Sequence, residues 1–464
     1  MGPDRPKFGG GASETLLHPF VLVAMIITIV LLLLLPRRIA AFPLLFMTFL
    51  APNTQQFYFA GIHLFVLRIV ILAGLARVFS GKDPSETSRF AGGWNSIDTA
   101  FSICVLIEAV AVVLLNHDGQ ALVNQVGFVW DMLGGYLLLR YLVRDENDIY
   151  RVTKCMAILS LLLGIAMIIE WQTMENVFGL LGGVRSIPEI REGKVRSQAV
   201  FQHSLLAGTV GATLLPLFVL LWTNAKAKTF AVIGAIGSTT MMLTSNSSTP
   251  LLAYAAGIFA ICFWPFRKVM RKIRYGIVAG LIALSLVMKA PVWFIIAHID
   301  LTGSSSSYHR AALVDVFIRN FSDWWLIGTN NAENWGWDMW DVQNQYVSVG
   351  EAGGLAAFIF FIAVISRSFG RIGDARKIVD GNISQERFLW LLGAALFSNI
   401  VGYFGVNYFD QSRMAWFVIL TAISAGTSGI LKKPEDIASR GGIKGAKLPL
   451  KSQSSPPRHL NLNY

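Results

Sequence analysis

About thirteen long apolar runs, separated by short polar connections, constrain this chain more than any other feature of its sequence. A bilayer core about 30 Å thick is crossed by about 20 helical residues, because an α-helix rises 1.5 Å per residue. The runs lie at about 17–35, 39–51, 58–79, 94–116, 121–143, 153–171, 201–223, 229–244, 248–265, 276–297, 345–366, 388–408 and 412–430. They predict an all-α, polytopic helical membrane protein with about 12–14 transmembrane helices.

Composition excludes the other broad classes of protein. Hydrophobic residues make up 54% of the 464 residues and charged residues only 14%, whereas a soluble domain has about 25% charged residues. A soluble enzyme is therefore excluded. The three cysteines all fall within apolar runs, which excludes a disulfide framework and a four-cysteine zinc site.

The 39 Lys and Arg residues indicate an orientation, because most of them lie in alternate loops. We assign those loops to the cytoplasm and the loops 172–200 and 298–344 to the outside. Thirteen spans then put the N-terminus outside and the C-terminus in the cytoplasm, unless the first two runs form one re-entrant unit. Residues 1–430 are interpreted as one membrane domain and 431–464 as a disordered basic tail. The net charge of +11 is thus an orientation signal with some attraction to membrane lipids, and it requires no nucleic acid partner.

The large loop 298–344 contains an amphipathic pattern. Apolar residues recur at helical spacing, and polar residues fall between them. We expect a short helix on the outer membrane boundary, with one apolar and one polar face. The apolar face is Leu313, Val314, Phe317, Ile318, Phe321, Trp324 and Trp325, and the polar face is Asp315, Arg319, Ser322 and Asp323.

Five of the 13 tryptophans cluster in the same loop: Trp324, Trp325, Trp335, Trp337 and Trp340. One interpretation is an aromatic belt at the membrane interface. The other is a surface that stacks on sugar rings, for which Trp335, Trp337 and Trp340 are the candidates. Both interpretations can hold for different members of the cluster.

Few arginines lie on the external side, and two of them occupy informative positions. Arg196 precedes the mouth of a span, and Arg310 stands at the start of the boundary helix. Arg68 lies within a span, where a charge is expensive and indicates either function or a buried pair with Asp131 or Glu108. Guanidinium groups bind diphosphate oxygens in bidentate fashion, so these three arginines are candidates for binding a lipid diphosphate.

Several familiar catalytic motifs are missing from the sequence. It has no glycine-rich phosphate loop, no HExxH pair and no G-x-S-x-G elbow. The carboxylates Asp323, Asp338 and Asp341 match no known metal loop, and we predict no metal and no cofactor. Ser245, Ser247 and Ser248 are interpreted as a polar turn, with a substrate groove as the alternative.

Three stretches resemble the bacterial O-antigen polymerase and O-antigen ligase superfamily, which includes exopolysaccharide polymerases. The layout of many spans and one large external loop, within a ligase-like region at 195–366, is also similar. The stretches are Val195-Arg196-Ser-Gln-Ala-Val-Phe201-Gln-His203, the serine-rich Thr244-Ser-Asn-Ser-Ser-Thr-Pro250, and the run from Thr302-Gly303 through His309-Arg310 and Trp324-Trp325-Leu-Ile-Gly328 to Asp341-Val-Gln-Asn344-Gln-Tyr346 and Gly350-Glu-Ala-Gly353-Gly354-Leu355.

The resemblance implies a metal-independent, inverting glycosyltransferase that uses a polyprenyl-diphosphate-linked donor. Arg196, Arg310 and Arg68 would stabilise the leaving diphosphate, and Asn344 would contact sugar. Ligase-type members have a histidine just before the asparagine as the proposed base, but here that residue is Gln343, which cannot accept a proton at neutral pH. Asp341 is therefore the first candidate for the base and His309 the second.

The most favoured function is polymerisation of polyprenyl-diphosphate-linked oligosaccharide units into O-antigen or exopolysaccharide at the external face of a bacterial inner membrane. The alternatives are an O-antigen ligase, which transfers a lipid-linked glycan to another acceptor, and a lipid-linked sugar transporter or flippase. Expected partners are the lipid-linked oligosaccharide, membrane lipids, and a chain-length regulator and flippase of the same pathway.

Overall fold

A computed structural model describes residues 14–59, 62–80, 88–295, 306–336, 338–339 and 341–440. The described chain is mostly helical, and six of its helices are long and apolar enough to cross a membrane. They span Ser96–Asn116, Gly119–Leu142, Glu146–Thr173, Ser204–Leu221, Gln345–Ile378 and Gln411–Leu431. The prediction of an all-α membrane protein is confirmed.

Sixteen helices are described. In chain order they are α1 (Pro19–Leu34), α2 (Arg37–Leu50), α3 (Val66–Phe79), α4 (Ser96–Asn116), α5 (Gly119–Val129), α6 (Gly135–Leu142), α7 (Glu146–Thr173), α8 (Ser204–Leu221), α9 (Lys228–Thr244), α10 (Ser248–Cys262), α11 (Met270–Val287), α12 (Ser306–Arg319), α13 (Phe321–Trp324), α14 (Gln345–Ile378), α15 (Ile383–Gly402) and α16 (Gln411–Arg440). A π-helical turn, Trp130–Gly134, joins α5 to α6.

Each predicted apolar run overlaps a helix, although several boundaries were wrong. The run at 58–79 begins as an antiparallel hairpin of β1 (Gln56–Phe59) and β2 (Ile62–Phe65), so α3 starts only at Val66. Backbone hydrogen bonds between Leu16 and Gln56 extend that pairing. The run at 276–297 ends as a helix at Val287, before Pro291, which cannot continue it.

The predicted disordered tail was also placed too early. Helix α16 continues to Arg440, ten residues beyond the expected boundary at 430. Residues 441–464 lie outside the described part of the chain.

Loops that were assigned to the cytoplasm contact one another at one end of the bundle. The Arg37 guanidinium donates to the Asp148 carboxylate at 2.8 Å, and Arg267 donates to Glu386 at 2.7 Å. We call this the basic end. The same alternation of helices puts the loop 172–200 and the described residues of the loop before α14 at the opposite end.

Contacts at that opposite end bring distant loops together. Gln55 Nε2 donates to the carbonyl oxygens of Leu181 and Gly182 at 2.8 and 3.0 Å. The backbone N–H of Gln202 donates to Asp410 at 2.9 Å. Because His18 N donates to Gln55 at 2.7 Å, the first described residues lie at this end too.

Helix α8 lies at the centre of the bundle and is the most buried of the long apolar helices. Buried residues make up 94% of its span, and it packs against α7, α9, α10 and α15. A helix that is apolar all round is stable only where other elements cover every side. Its N-terminus lies at the end of the bundle opposite the basic end and supports the loops there.

Helix α14 is broken near its start by Gly354, whose φ of 68° lies in the left-handed region. The break admits the segment that follows α13. Leu355 N donates to Trp325 O and Thr329 N donates to Glu351 O, both at 2.8 Å. A Cβ on Gly354 would lie 2.8 Å from the Leu326 carbonyl oxygen, so the glycine allows this close approach.

The boundary helix differs from its predicted amphipathic form. Leu313, Phe317 and Trp324 are buried in a cluster with α14, and Trp324 stacks on Phe317 with ring centroids 3.9 Å apart. Asp315, assigned to the polar face, is only 8% exposed and accepts a hydrogen bond from Trp293 Nε1 at 3.1 Å. Asp315 therefore faces protein, whereas Arg319 of the same polar face is 71% exposed.

Candidate functional site

A cavity of about 210 Å³ opens at the end of the bundle opposite the basic end. We call it the arginine cavity. Five separate segments contribute to its walls: a hairpin of β3 (Glu189–Arg191) and β4 (Lys194–Arg196), the start of α8, the turn before α10, α12, and residues 341–343. The lining residues are Glu189, Arg191, Glu192, Lys194, Arg196, His203, Leu205, Asn246, Ser247, Ser248, Arg310, Asp341 and Gln343.

Arg196 projects from β4 into this cavity and is 6% exposed. Its Nη2 donates to Ser247 Oγ at 2.6 Å, and its Nη1 lies 3.2 Å from Glu189 Oε1. Glu189 is the direct cross-strand partner of Arg196 in the hairpin, so the register of the two strands fixes this pair. Burial lowers the pKa of the Arg196 guanidinium, although the Glu189 carboxylate opposes that shift.

Arg310 reaches the same cavity from the start of α12 and is 8% exposed. Its Nη1 donates to Ser248 Oγ at 3.1 Å. Ser247 and Ser248 are adjacent residues, so one short turn holds two guanidinium groups that come from positions 114 residues apart in the sequence (310 minus 196). Ser247 and Ser248 therefore line a cavity, as in the alternative interpretation of this turn as part of a substrate groove. Ser245 is instead fully buried and hydrogen-bonds to Met242 O.

His203 caps the N-terminus of α8 and lines the arginine cavity. Its Nδ1 accepts a hydrogen bond from Leu205 N at 3.1 Å, so the neutral ring carries its proton on Nε2. That nitrogen lies 3.5 Å from Glu189 Oε2. Burial, and then the charge of Arg196, lowers the pKa of His203, which favours a neutral ring that donates from Nε2.

Asp341 lines the cavity together with Gln343, whose side-chain amide donates to the Asp341 carboxylate. His309 Nε2 lies 3.3 Å from the Asp341 backbone oxygen and is not among the described residues that line the cavity. Of the two candidates for the base, Asp341 alone faces the arginines.

Arg68 does not join the other two arginines. It forms a bidentate ion pair with Asp131, with Nε–Oδ1 and Nη2–Oδ2 distances of 3.0 and 2.8 Å. Its Nη1 donates to His63 O at 3.0 Å. Of the two interpretations of Arg68, a functional role or a buried pair, the structure contains the pair with Asp131.

Of the predicted sugar-binding residues, the two that the structure describes do not line the arginine cavity. Trp335 packs near Phe317 and donates from Nε1 to Asp323 at 3.2 Å, while Trp337 and Trp340 fall outside the described residues. Asn344 is fully buried and caps α14 by accepting from the N–H groups of Tyr346 and Val347 at 2.9 and 3.2 Å. Asn344 thus has no surface for a sugar, and the interpretation of it as a sugar ligand was wrong.

Glu189 is not among the residues singled out from the sequence, and His203 is named there only as the last residue of a family-like stretch. A signal for Glu189 was present, because Glu192-Gly193 joins two short segments of alternating charge, as in a hairpin turn. The strand register would then have placed Glu189 opposite Arg196. His203 lines the cavity because a neighbouring loop folds over the start of α8. The sequence around His203 does not indicate this contact.

Within the described residues, no three His, Cys, Asp or Glu side chains gather as a metal site would require. A scan of the chain against models of known protein families found no match, and a search of curated proteins also found none. The functional argument therefore rests on the chemistry of the arginine cavity.

Proposed function

We propose that this protein polymerises polyprenyl-diphosphate-linked oligosaccharide units into a surface polysaccharide, as an inverting glycosyltransferase that needs no metal. The observation that supports this proposal most strongly is the convergence of Arg196 and Arg310 on adjacent serines over one cavity that also holds Asp341. Two guanidinium groups are suited to a diphosphate, and one carboxylate is suited to a hydroxyl acceptor.

In the proposed reaction the acceptor hydroxyl oxygen attacks C1 of the donor sugar from the face opposite the diphosphate. The new C1–O bond forms as the bond from C1 to the diphosphate oxygen breaks, and the lipid diphosphate leaves with that electron pair. Asp341 takes the hydroxyl proton. Arg196 and Arg310 stabilise the negative charge that develops on the leaving oxygen, so no general acid is required.

His203 adds a neutral donor to this arrangement. Its Nε2–H and the guanidinium of Arg196 both face the carboxylate of Glu189. An incoming phosphate oxygen would take over the same two donors. These donors, together with the Arg310 guanidinium, suit an anion with several oxygens.

We also propose the orientation and location of the protein. The segregation of lysine and arginine to the basic end supports a cytoplasmic location for that end and for the C-terminus. The arginine cavity would then face outwards, in a bacterial inner membrane. A flippase that delivers lipid-linked units to that face and a chain-length regulator are the expected pathway partners.

The test is a reconstituted reaction. Purified protein is mixed with polyprenyl-diphosphate-linked repeat units and a metal chelator, and the products are separated on a glycan gel. We expect a ladder. Arg310→Ala should reduce its yield by about 10²–10³-fold, the typical cost of losing a group that stabilises a developing oxyanion.

Arg319→Ala is the matched control. Arg319 lies on the same helix, is 71% exposed and pairs with Asp315, so its loss should leave the ladder intact. A normal ladder from Arg310→Ala would remove that residue from the site. Products that form only when a lipid A core acceptor is supplied would identify a ligase and overturn the polymerase proposal.

A further inference from the structure

A second cavity, of about 370 Å³, lies at the same end of the bundle. Its volume is within the range of about 300–1,000 Å³ that is typical of small-molecule sites. Residues from the start of α3, the π-helical turn, the loop before α16 and the first turns of α16 line it: Asn53, Thr54, Phe65, Leu67, Asp131, Gln202, Phe409, Asp410, Arg413, Met414 and Phe417.

The second cavity adjoins the arginine cavity through consecutive residues. Gln202 lines the second cavity and His203 lines the arginine cavity, and their Cα atoms are about 3.8 Å apart across one peptide bond. Gln202 N also donates to Asp410 at 2.9 Å. The segment Gln202–His203 therefore forms part of the wall of both cavities.

Arg413 is the main donor in the second cavity. Its Nε donates to Tyr408 O at 3.1 Å, and its guanidinium lies over the ring of Phe128, 5.4 Å from the centroid. Neither Nη1 nor Nη2 has a hydrogen bond or ion pair to any residue within the described ranges. These two nitrogens are available to a ligand.

The charged residues that line the second cavity balance one another. Asp131 is neutralised by its bidentate pair with Arg68. That leaves one carboxylate, Asp410, and one guanidinium, Arg413, in the lining, and Glu108, outside the lining, also interacts electrostatically with Arg413. The rest of the wall is largely apolar, with three phenylalanine rings, of which Phe417 is almost fully buried and Phe409 is 39% exposed.

This combination excludes two classes of ligand. The negative charge of Asp410 would oppose the attraction of a diphosphate to Arg413. A hydrocarbon chain would leave Asp410 Oδ1 and the two Arg413 Nη nitrogens without hydrogen-bond partners, which is costly in a buried site. A polyhydroxylated ring satisfies both, because its hydroxyls accept from a guanidinium and donate to a carboxylate. Its C–H face can pack on phenylalanine.

We propose that the second cavity is a binding site for a neutral sugar ring of the oligosaccharide unit, with Arg413 and Asp410 as its hydrogen-bonding residues and Phe409 as its apolar wall. This inference rests on the proposed function, since it takes the glycan part of the lipid-linked substrate whose diphosphate lies in the arginine cavity. It moves the sugar site away from the tryptophan-rich loop and into the helical bundle.

The experiment uses the full protein in nanodiscs and two separate probes. The first probe is the repeat-unit oligosaccharide after mild acid has removed its lipid and phosphate, with binding followed by saturation-transfer NMR. The second is undecaprenyl diphosphate, with bound lipid counted by native mass spectrometry. Arg413→Gln, Asp410→Asn and Phe409→Ala should each weaken oligosaccharide binding by about fivefold or more, the loss expected for one hydrogen bond or stacking contact of about 1 kcal/mol.

Matched controls separate this site from the arginine cavity. Phe404 has the same exposed fraction as Phe409, 39%, and does not line the second cavity, so Phe404→Ala should bind oligosaccharide normally. Arg196→Gln should lose undecaprenyl diphosphate but keep oligosaccharide. If Arg413→Gln does not fold, Phe409→Ala and Asp410→Asn decide the question.

The outcomes distinguish two failures. If the product ladder forms but the unsubstituted protein binds no oligosaccharide, only the proposed sugar site is overturned. The same conclusion follows if the ladder forms and both Phe409→Ala and Asp410→Asn bind oligosaccharide normally. Absence of a ladder and of undecaprenyl diphosphate binding would overturn the proposed function.

Discussion

Glu189 occupies the position that an anionic substrate would take, and removing its charge should therefore tighten substrate binding. In the structure its two carboxylate oxygens face Arg196 Nη1 at 3.2 Å and His203 Nε2 at 3.5 Å. A phosphate must displace this carboxylate to reach the same donors. We predict that Glu189→Gln binds undecaprenyl diphosphate more tightly than the unsubstituted protein.

The magnitude follows from the geometry of the pair. Opposite charges 3.2 Å apart attract by about 5 kcal/mol at an effective dielectric constant of about 20. Glu189 is about a third exposed, 32%, so solvent screening reduces the net contribution to about 1 kcal/mol. Since 1.4 kcal/mol corresponds to a factor of ten in Kd, a gain of about fivefold is expected.

The assay is a titration of nanodisc-embedded protein with undecaprenyl diphosphate, and Glu192→Gln is the control. Glu192 lies in the turn of the same hairpin and also lines the cavity. Its substitution by glutamine therefore removes an equal charge but leaves the Glu189–Arg196 ion pair in place. Its Kd should change by less than about twofold. Weaker binding by Glu189→Gln would refute the displacement argument and show that Glu189 serves to position Arg196.

Three further predictions concern single residues of the site and its supports. Asp341→Asn should lower turnover by about 10²–10⁴-fold while leaving the Kd for undecaprenyl diphosphate unchanged; full turnover in a reconstituted assay would exclude Asp341 as the base. Asn344→Ala should destabilise the protein by about 1 kcal/mol, because it removes the N-cap of α14; a lower melting temperature with normal oligosaccharide affinity would support the capping role, and lost affinity with normal stability would contradict it. The pKa of His203 is lowered in the folded protein, so the unfolded chain binds this proton more readily and stability is lost as pH falls below the usual histidine pKa of about 6.5. His203→Asn retains a capping oxygen, and in thermal unfolding it should lose less stability between pH 7.5 and 5.5 than the unsubstituted protein. Equal losses in the two proteins would disprove the shift.

The sequence determined the class of protein because hydrophobicity is a local property. Each long apolar run must form its backbone hydrogen bonds within a helix when it lies in a bilayer. The runs therefore predict the helices without information about neighbouring segments. Errors arose where another segment intervened. The paired strands β1 and β2 replace part of a predicted span, and Leu16 forms two further backbone hydrogen bonds with Gln56 of β1.

Arg196 and Arg310 were candidates from the sequence because they lie near the start of a predicted span or helix, in loops with few basic residues. Arg68 was identifiable only as an alternative, since a charge inside a span serves either a ligand or a partner. Choosing between them required the position of Asp131, which lies 63 residues away on a different helix.

Only the tertiary structure decided what these residues can do together. It brought Ser247 and Ser248 under two arginines from distant segments, set Glu189 against His203, and buried Asn344 at a helix start. The physical reason is range. Apolar periodicity and charge bias act between residues near in sequence, whereas an ion pair or a shared cavity depends on distances of a few ångströms that only the packed bundle fixes.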